Sequence, residues 1–283
     1  MPWPPEPSDE IIAGSFAPRF RFQLWRRDSF RIVSWNIERG IRLAEVIAFL
    51  KDVHPDVLLL QEVDLNANRT HRRDIAREVA QALQMNFAFG KEFEELNQGS
   101  RQSPAFQGQA TLSPWPIGNA RLIRFKKQTS FWQPRWYVPR IDPFQERLGG
   151  RIALLADIEL DGQALTTCNL HLESREDDAL RFEQLREALA AVAPSRRNPA
   201  VIAGDFNLNA SEGAAGAALK AAGFWDAIGH PNVPTRPRRG LFDPGRSIDW
   251  MFVSTPLRST KGKVHENVRA SDHFPISFTL FPG

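Results

Sequence analysis

The chain has 283 residues, a formal charge of +3 with a pI near 9.3, and a single cysteine, Cys168. One cysteine excludes an internal disulfide framework and fits a reducing compartment, so a cytoplasmic location is expected, with Cys168 as a buried structural thiol. No apolar run approaches the ~20 residues that span a bilayer, and the opening MPWPPEPSDEIIAG lacks a basic-then-apolar signal pattern, so no stable membrane insertion is expected.

Residues 1–28 read as an N-terminal extension, Pro-rich and aperiodic at first, ahead of one domain over 29–283. RIVSWNI (31–37) is a strand by its β-branched and aromatic content. RLAEVIAFLKDV (42–53) places Leu43, Val46, Ile47, Leu50 and Val53 at helical spacing. HPD breaks that helix, and VLLLQEV (57–63) is a continuous apolar strand of the kind covered on both faces. A helix is expected over about 72–84, with Ile75, Val79 and Leu83 on one face. Strands follow near 109–113, 120–125, 151–160, 163–172, 200–205, 247–254 and 276–281, with helices at 176–192 and 211–222. Alternation of strand and helix early, and strand beside strand in the middle, predicts a layered α/β protein with mixed sheets and helices outside.

The stretch VIAGDFNLNAS (201–211) starts as an apolar strand and ends in Asp205 and Asn207. On extended backbone these two side chains would share a face, although Asp and Asn are also ordinary turn residues. Other strand ends carry the same chemistry: Asn36 and Glu38, then Gln61, Glu62 and Asp64, then Asn169 and His171, with Asp249 opening SIDWMFV and Asp272–His273 preceding the last strand. Each alone reads as local capping; their convergence is the signal. Carboxylate and amide oxygens without thiolates suit Mg²⁺ or Mn²⁺ rather than zinc. Histidines beside carboxylates handle protons and stabilise charge on a phosphate, so the set predicts a metal-assisted phosphoesterase.

The ordered series SWNIERG, LLLQEVD, NLHLES, AGDFNLN, SIDWMF and SDHFPI, with GQATLSPWPI between, resembles the endonuclease/exonuclease/phosphatase superfamily over about residues 30–281. That resemblance implies a four-layer α/β/β/α sandwich of two mixed sheets flanked by helices, with the site at one end. It implies that Asn36, Glu62 and Asp272 sit at a Mg²⁺ (or Mn²⁺) ion, with Glu62 a direct ligand. It implies that Asp205 orients or deprotonates the attacking water, Asn207 touches the scissile phosphate, His171 hydrogen-bonds it, and Asp249 fixes the tautomer of His273. Abasic endonucleases of the superfamily place a tyrosine near the site. The one tyrosine here, Tyr137, falls in a different neighbourhood, and DDALRFEQLREAL offers Arg181 and Gln184 instead.

Two segments bear on the substrate. Residues 124–151 hold seven Lys/Arg against two acids, with Phe131, Trp132, Trp136, Tyr137 and Phe144 interleaved. Trp132 and Trp136 are expected to stack bases, and Arg135 and Arg140 to meet phosphates, in a nucleic-acid substrate. TRPRRGLFDPGR (235–246) adds Arg236, Arg238, Arg239 and Arg246 just before Asp249. The alternatives are aromatics packing an insertion with solvated arginines, or a surface for lipid headgroups, with nucleic acid ahead of both. The leading expectation is therefore a monomeric nuclease. A phosphoinositide phosphatase or sphingomyelinase-like phosphodiesterase is the alternative, and an inactive nucleic-acid-binding module a third.

Overall fold

Val57, Leu58, Leu59 and Leu60 are all buried, yet they serve two different cores. Val57 and Leu59 face a second sheet, while Leu58 and Leu60 face helices. A strand covered on both faces has no polar side to alternate with, which is why its sequence is a continuous apolar run.

The computed structural model describes residues 7–18, 27–135, 146–193, 198–229, 233–238, 244–254 and 257–281. The first half contains β1 (Ile12–Ser15), β2 (Phe30–Arg39), α1 (Leu43–Val53), β3 (Val57–Leu65), α2 (Ile75–Leu83), β4 (Asn86–Glu95), β5 (Phe106–Ser113) and β6 (Ile117–Arg124). Then come β7 (Arg147–Gly149), β8 (Ile152–Leu160), β9 (Gln163–His171), α3 (Asp178–Val192) and β10 (Ala200–Asp205). The chain closes with α4 (Gly213–Ala221), β11 (Phe224–Asp226), β12 (Asp249–Ser254), β13 (Arg258–Ser259), β14 (Lys263–Val264) and β15 (Ile276–Phe281).

One sheet runs β1-β4-β5-β3-β2-β15-β13, with β14 also on β15 and β7 on β4; the other runs β11-β12-β10-β9-β8-β6. Each is mixed: β2 and β3 are parallel, as are β9 and β10, while the other named pairs are antiparallel. Val33, Trp35 and Ile37 pack under α1 and α2, and Cys168, Leu170 and Ile202 pack under α3 and α4. Phe30, Ile32, Val201, Met251, Ile276 and Phe278 fill the space between the sheets. The expected four-layer α/β/β/α sandwich is the architecture observed. No helix among the described residues is long and apolar enough to cross a membrane.

α2 and α3 start inside the expected bounds, where side-chain caps set them. Asp74 caps α2 by accepting from Arg77 N–H, and Asp177 caps α3 by accepting from Leu180 N–H. Such a cap contributes about 1 kcal/mol. Two differences from the sequence reading are larger. β4 was not expected, because NFAFGKEFEE carries a Gly and four charged residues; its Glu92 and Glu95 are nonetheless buried against Arg151 and Arg147. Within the N-terminal extension, Ile12–Ser15 is not a loose arm but an edge strand paired with Asn86–Phe89.

A buried polar crossing runs between the sheets. Gln61 Nε2 donates to Asn169 Oδ1 at 2.7 Å, and Asn169 Nδ2 donates to the carbonyls of Leu60 and Ala110. Gln61 precedes Glu62 and Asn169 stands two before His171, so this crossing joins the sheets directly beneath their polar strand ends.

Candidate active site

Strand register builds the first half of the site. Asp205, the last residue of β10, pairs with His171, the last of β9, and with Asp249, the first of β12. Three neighbouring strand ends thus place three ionisable side chains in a row. Gly204 makes the close approach possible: at φ +148° a Cβ there would lie 1.9 Å from the Leu170 carbonyl oxygen.

The other sheet supplies Asn36 and Glu62. Pairing of β2 with β3 shifts register between Asn36 and Arg39, and pairing of β3 with β5 shifts between Leu60 and Val63. Glu38, Arg39 and Glu62 adopt φ of 48°, 66° and 49° at these bulges, a conformation costly for non-glycine residues and held by the surrounding structure. Asn36 Nδ2 then lies 3.4 Å from Glu62 Oε1 and 3.2 Å from Asp205 Oδ2, bridging the two sheets' carboxylates. Asn36 Oδ1 accepts the Glu38 N–H at 3.1 Å, which fixes the amide orientation. Burial opposes charge on Glu62, but Arg39, His171, Arg147 and Arg151 outweigh it and hold the carboxyl well below the usual range. Glu62 is thus an ionised, partly open oxygen donor.

His273 arrives from the loop before β15. Trp35 Nε1 donates to the His273 carbonyl at 2.9 Å, and the Ser271 hydroxyl both donates to the Asn36 carbonyl and accepts the His273 N–H. His273 Nδ1 lies 2.8 Å from Asp249 Oδ2, as the resemblance implies, and Thr235 Oγ1 donates to that same oxygen at 2.6 Å. Burial works against charge on the imidazole, but Asp249 and Asp205 prevail and push His273 up to about 10. Its Nε2 lies 3.7 Å from Asp205 Oδ2, and His171 Nε2 lies 3.8 Å from the same oxygen. Burial, with the Asp249 charge, raises Asp205 above the ordinary aspartate value against the pull of both histidines.

Asp205, Asp249 and His273 offer atoms within 4.8 Å of one another, the spacing of a metal cage. Their bonding argues for a proton relay instead. Asp249 Oδ2 is already shared by His273 Nδ1 and Thr235 Oγ1, and Asp205 by Asn36 Nδ2 and the Asn207 N–H. The hard oxygens better suited to a divalent ion are those of Glu62 and the half-buried Asp272, whose Oδ1 accepts from Ser271 at 3.4 Å.

Asn207 sits at φ 53°, beyond the strand, so the period-two argument does not place it. Its N–H donates to Asp205 Oδ1 at 2.9 Å, forming a turn, while its Nδ2 donates to the Leu172 carbonyl. The turn and the site reading of AGDFNLN hold together: the turn fixes the carboxylate.

Three partners were missed by the sequence reading. Glu92 Oε2 lies 3.4 Å from His171 Nδ1, and Arg151 Nη1 lies 2.8 Å and 2.9 Å from the two ring nitrogens and 3.0 Å from Glu92 Oε1. The third is Thr235. None had a local signal beyond a charged or hydroxyl residue near a strand.

Of the expected substrate contacts, Arg135 is exposed. Trp132 needs correction: at 8% exposure it is packed, its indole N–H donates to Glu173 Oε1, and Arg147 and Arg175 lie over its ring. A buried ring cannot receive a base. Trp136 and Arg140 lie outside the described residues. Cys168 is buried, and burial pushes its thiol up to about 12, leaving it unreactive.

The sequence model of the Endonuclease/Exonuclease/phosphatase family matches residues 33–273. Comparison with curated proteins gives no match. Among solved structures, the endonuclease/exonuclease/phosphatase from Beutenbergia cavernae DSM 12333 aligns with TM-score 0.65 and 19% identity, over 91% of this chain and 72% of that one. Truncated TDP2 from Caenorhabditis elegans gives 0.58 and 20%, over 90% and 98%. A family protein from Leptotrichia buccalis C-1013-b gives 0.63 and 15%, over 88% and 98%. At such identities the structural likeness is one of fold, whereas the sequence match spans most of the chain and its strand-end residues. The chain belongs to the endonuclease/exonuclease/phosphatase family, a family of phosphoesterases.

Proposed function

We propose that residues 29–283 form a Mg²⁺- or Mn²⁺-dependent phosphodiesterase that cleaves nucleic acid by attack of a water prepared by Asp205. The observation that carries this reading is Asp205 Oδ2, set 3.8 Å from His171 Nε2, 3.7 Å from His273 Nε2 and 3.2 Å from Asn36 Nδ2. A carboxylate so surrounded accepts a proton beside groups that bind phosphate oxygens. His273, charged and held by Asp249, stabilises negative charge developing on the phosphate. His171, braced by Glu92 and Arg151, donates to a phosphate oxygen. Asn207 spends one amide N–H on Leu172 and has a second for the phosphate.

Glu62 and Asp272 would hold the divalent ion, with Asn36 keeping Glu62 in place. The oxygen-only donor set fits Mg²⁺ or Mn²⁺. Such an ion would neutralise charge on the phosphate undergoing attack. The net charge of +3 and the exposed Arg135 favour a polyanionic substrate.

The test is a substrate panel with Mg²⁺: single- and double-stranded DNA, RNA, a 5′-tyrosyl oligonucleotide, inositol phosphates and sphingomyelin. Turnover of a nucleic acid, lost with chelator, is the expected result. Turnover confined to inositol phosphates or sphingomyelin overturns the nucleic-acid reading.

A further inference from the structure

We infer that Phe131 and Arg175 form a seat for an unpaired nucleobase beside the phosphate site, an inference that rests on the nucleic-acid reading above. Among the described residues only Ile41 and Phe131 are large hydrophobics left exposed, and Phe131 is 47% exposed. A lone exposed Phe is ordinary. What sets this one apart is how firmly it is held, and where.

Phe131 stands edge-on to Trp132, with ring centroids 4.8 Å apart at 83°. Trp132 is itself fixed, by its N–H to Glu173 Oε1 at 3.2 Å, by Phe93 behind it, and by the Arg147 guanidinium 4.7 Å from its ring. The Phe131 N–H donates to Thr129 Oγ1, whose hydroxyl in turn donates to Glu176. On the facing loop, Glu173 Oε1 accepts the N–H groups of Ser174 and Arg175 at 2.8 and 3.0 Å. The loop at 129–132 and the loop after β9 are therefore tied at both ends of the contact.

Arg175 is exposed, makes no ion pair among the described residues, and lies 4.9 Å from the Phe131 ring centroid. It follows His171 by four residues, so their Cα atoms are at most about 14 Å apart. Arg151 joins the two: its Nη1 lies 2.8 Å from His171 Nδ1 and its Nη2 donates to Ser174 Oγ at 3.3 Å, so the loop that carries Arg175 runs beside the histidine. The guanidinium covers one face of the ring, and the part left open to solvent suits a base: the ring stacks, the cation attracts the flanking phosphate, and little ordering remains to be done on binding. A membrane would need a broad contiguous apolar face. Ile41, the other exposed hydrophobic, belongs to a separate loop after β2.

The experiment measures anisotropy of a labelled single-stranded oligonucleotide, and of an equal-length strand lacking bases, bound to wild type, Phe131→Ala, Arg175→Ala and Phe131→Trp. Circular dichroism melting checks each fold. Wild type should bind the base-containing strand roughly 5- to 100-fold more tightly, the usual worth of one stacked base. Phe131→Ala should collapse that ratio, Arg175→Ala should weaken binding of both strands and leave the ratio in place, and Phe131→Trp should keep it. The measurement needs no turnover. A Phe131-dependent ratio without strand cleavage supports the seat while sinking the nuclease reading. Equal ratios in wild type and Phe131→Ala, or no binding of either strand, overturn the seat. So does Phe131-dependent binding to phosphatidylserine-containing vesicles in place of the oligonucleotide.

Discussion

At the scale of the residue, Asp205 concentrates the chemistry. Asp205→Asn keeps the turn with Asn207, since an amide oxygen can accept the same N–H, but removes the proton acceptor. Turnover should fall about 10²- to 10⁴-fold, the range of general acid–base catalysis, with the melting temperature near wild type. Unimpaired turnover in a folded variant would reduce AGDFNLN to its turn. Because Asp205 must be ionised to act, and burial raises it, the acid limb of kcat should lie above the ordinary aspartate value of 3.8. The Asp249–His273 pair makes two further predictions. Asp249→Asn and His273→Ala should each cost orders of magnitude in kcat, and the double variant little more than either, because the two act as a unit. Additive losses would mean they do not. The pair also makes stability depend on pH. His273 is raised from an ordinary 6.5 to about 10, so its contribution is fully present below pH 6.5 and lost as pH rises through 10. Urea titrations at pH 6, 8 and 10 should show this decline in wild type and a weaker one in Asp249→Asn.

At the scale of the element, β4 explains how an acidic segment becomes a central strand. Its buried Glu92 is paired with Arg151, just before β8, and its buried Glu95 with Arg147 of β7 and with Arg69. Removing one partner of a buried pair leaves the other charge uncompensated. Glu92→Gln should therefore destabilise the protein by about 3 kcal/mol in urea unfolding. Replacing both Glu92 and Arg151 by Met should recover much of that loss. A double variant no more stable than the single would show that Arg151 is balanced by other groups, of which Glu173 and Glu62 act on it most strongly after Glu92.

At the scale of the whole molecule, the candidate site lies where the two sheets meet. Asn36 and Glu62 come from one sheet and His171, Asp205 and Asp249 from the other, joined below by the Gln61–Asn169 crossing. Glu62→Gln removes a charge from the side expected to hold the ion. It should raise the Mg²⁺ concentration for half-maximal rate at least tenfold without moving the melting temperature by more than a few degrees. An unchanged metal requirement would place the ion elsewhere.

The strand ends were legible because their chemistry is local: an apolar run that stops in Asp, Asn, Glu or His announces itself, and six such segments in order identify the family. The apolar patterns likewise announced mixed sheets with helices outside, since burial on one or two faces dictates which residues a strand can carry, and the family resemblance supplied the four layers. What the sequence could not decide was anything set by a distant partner. Glu92 and Arg151 carry no local signal of burial; only the tertiary fold brings them together. Trp132 and Phe131 are adjacent aromatics in one basic segment, and only packing against Phe93 and Glu173 buries the first and exposes the second. Asn207 reaches the site through a left-handed turn rather than by strand alternation. Composition and periodicity determine which side chains lie inside, whereas the pairing of charges and the facing of rings depend on contacts between segments far apart in the chain, which only the tertiary structure supplies.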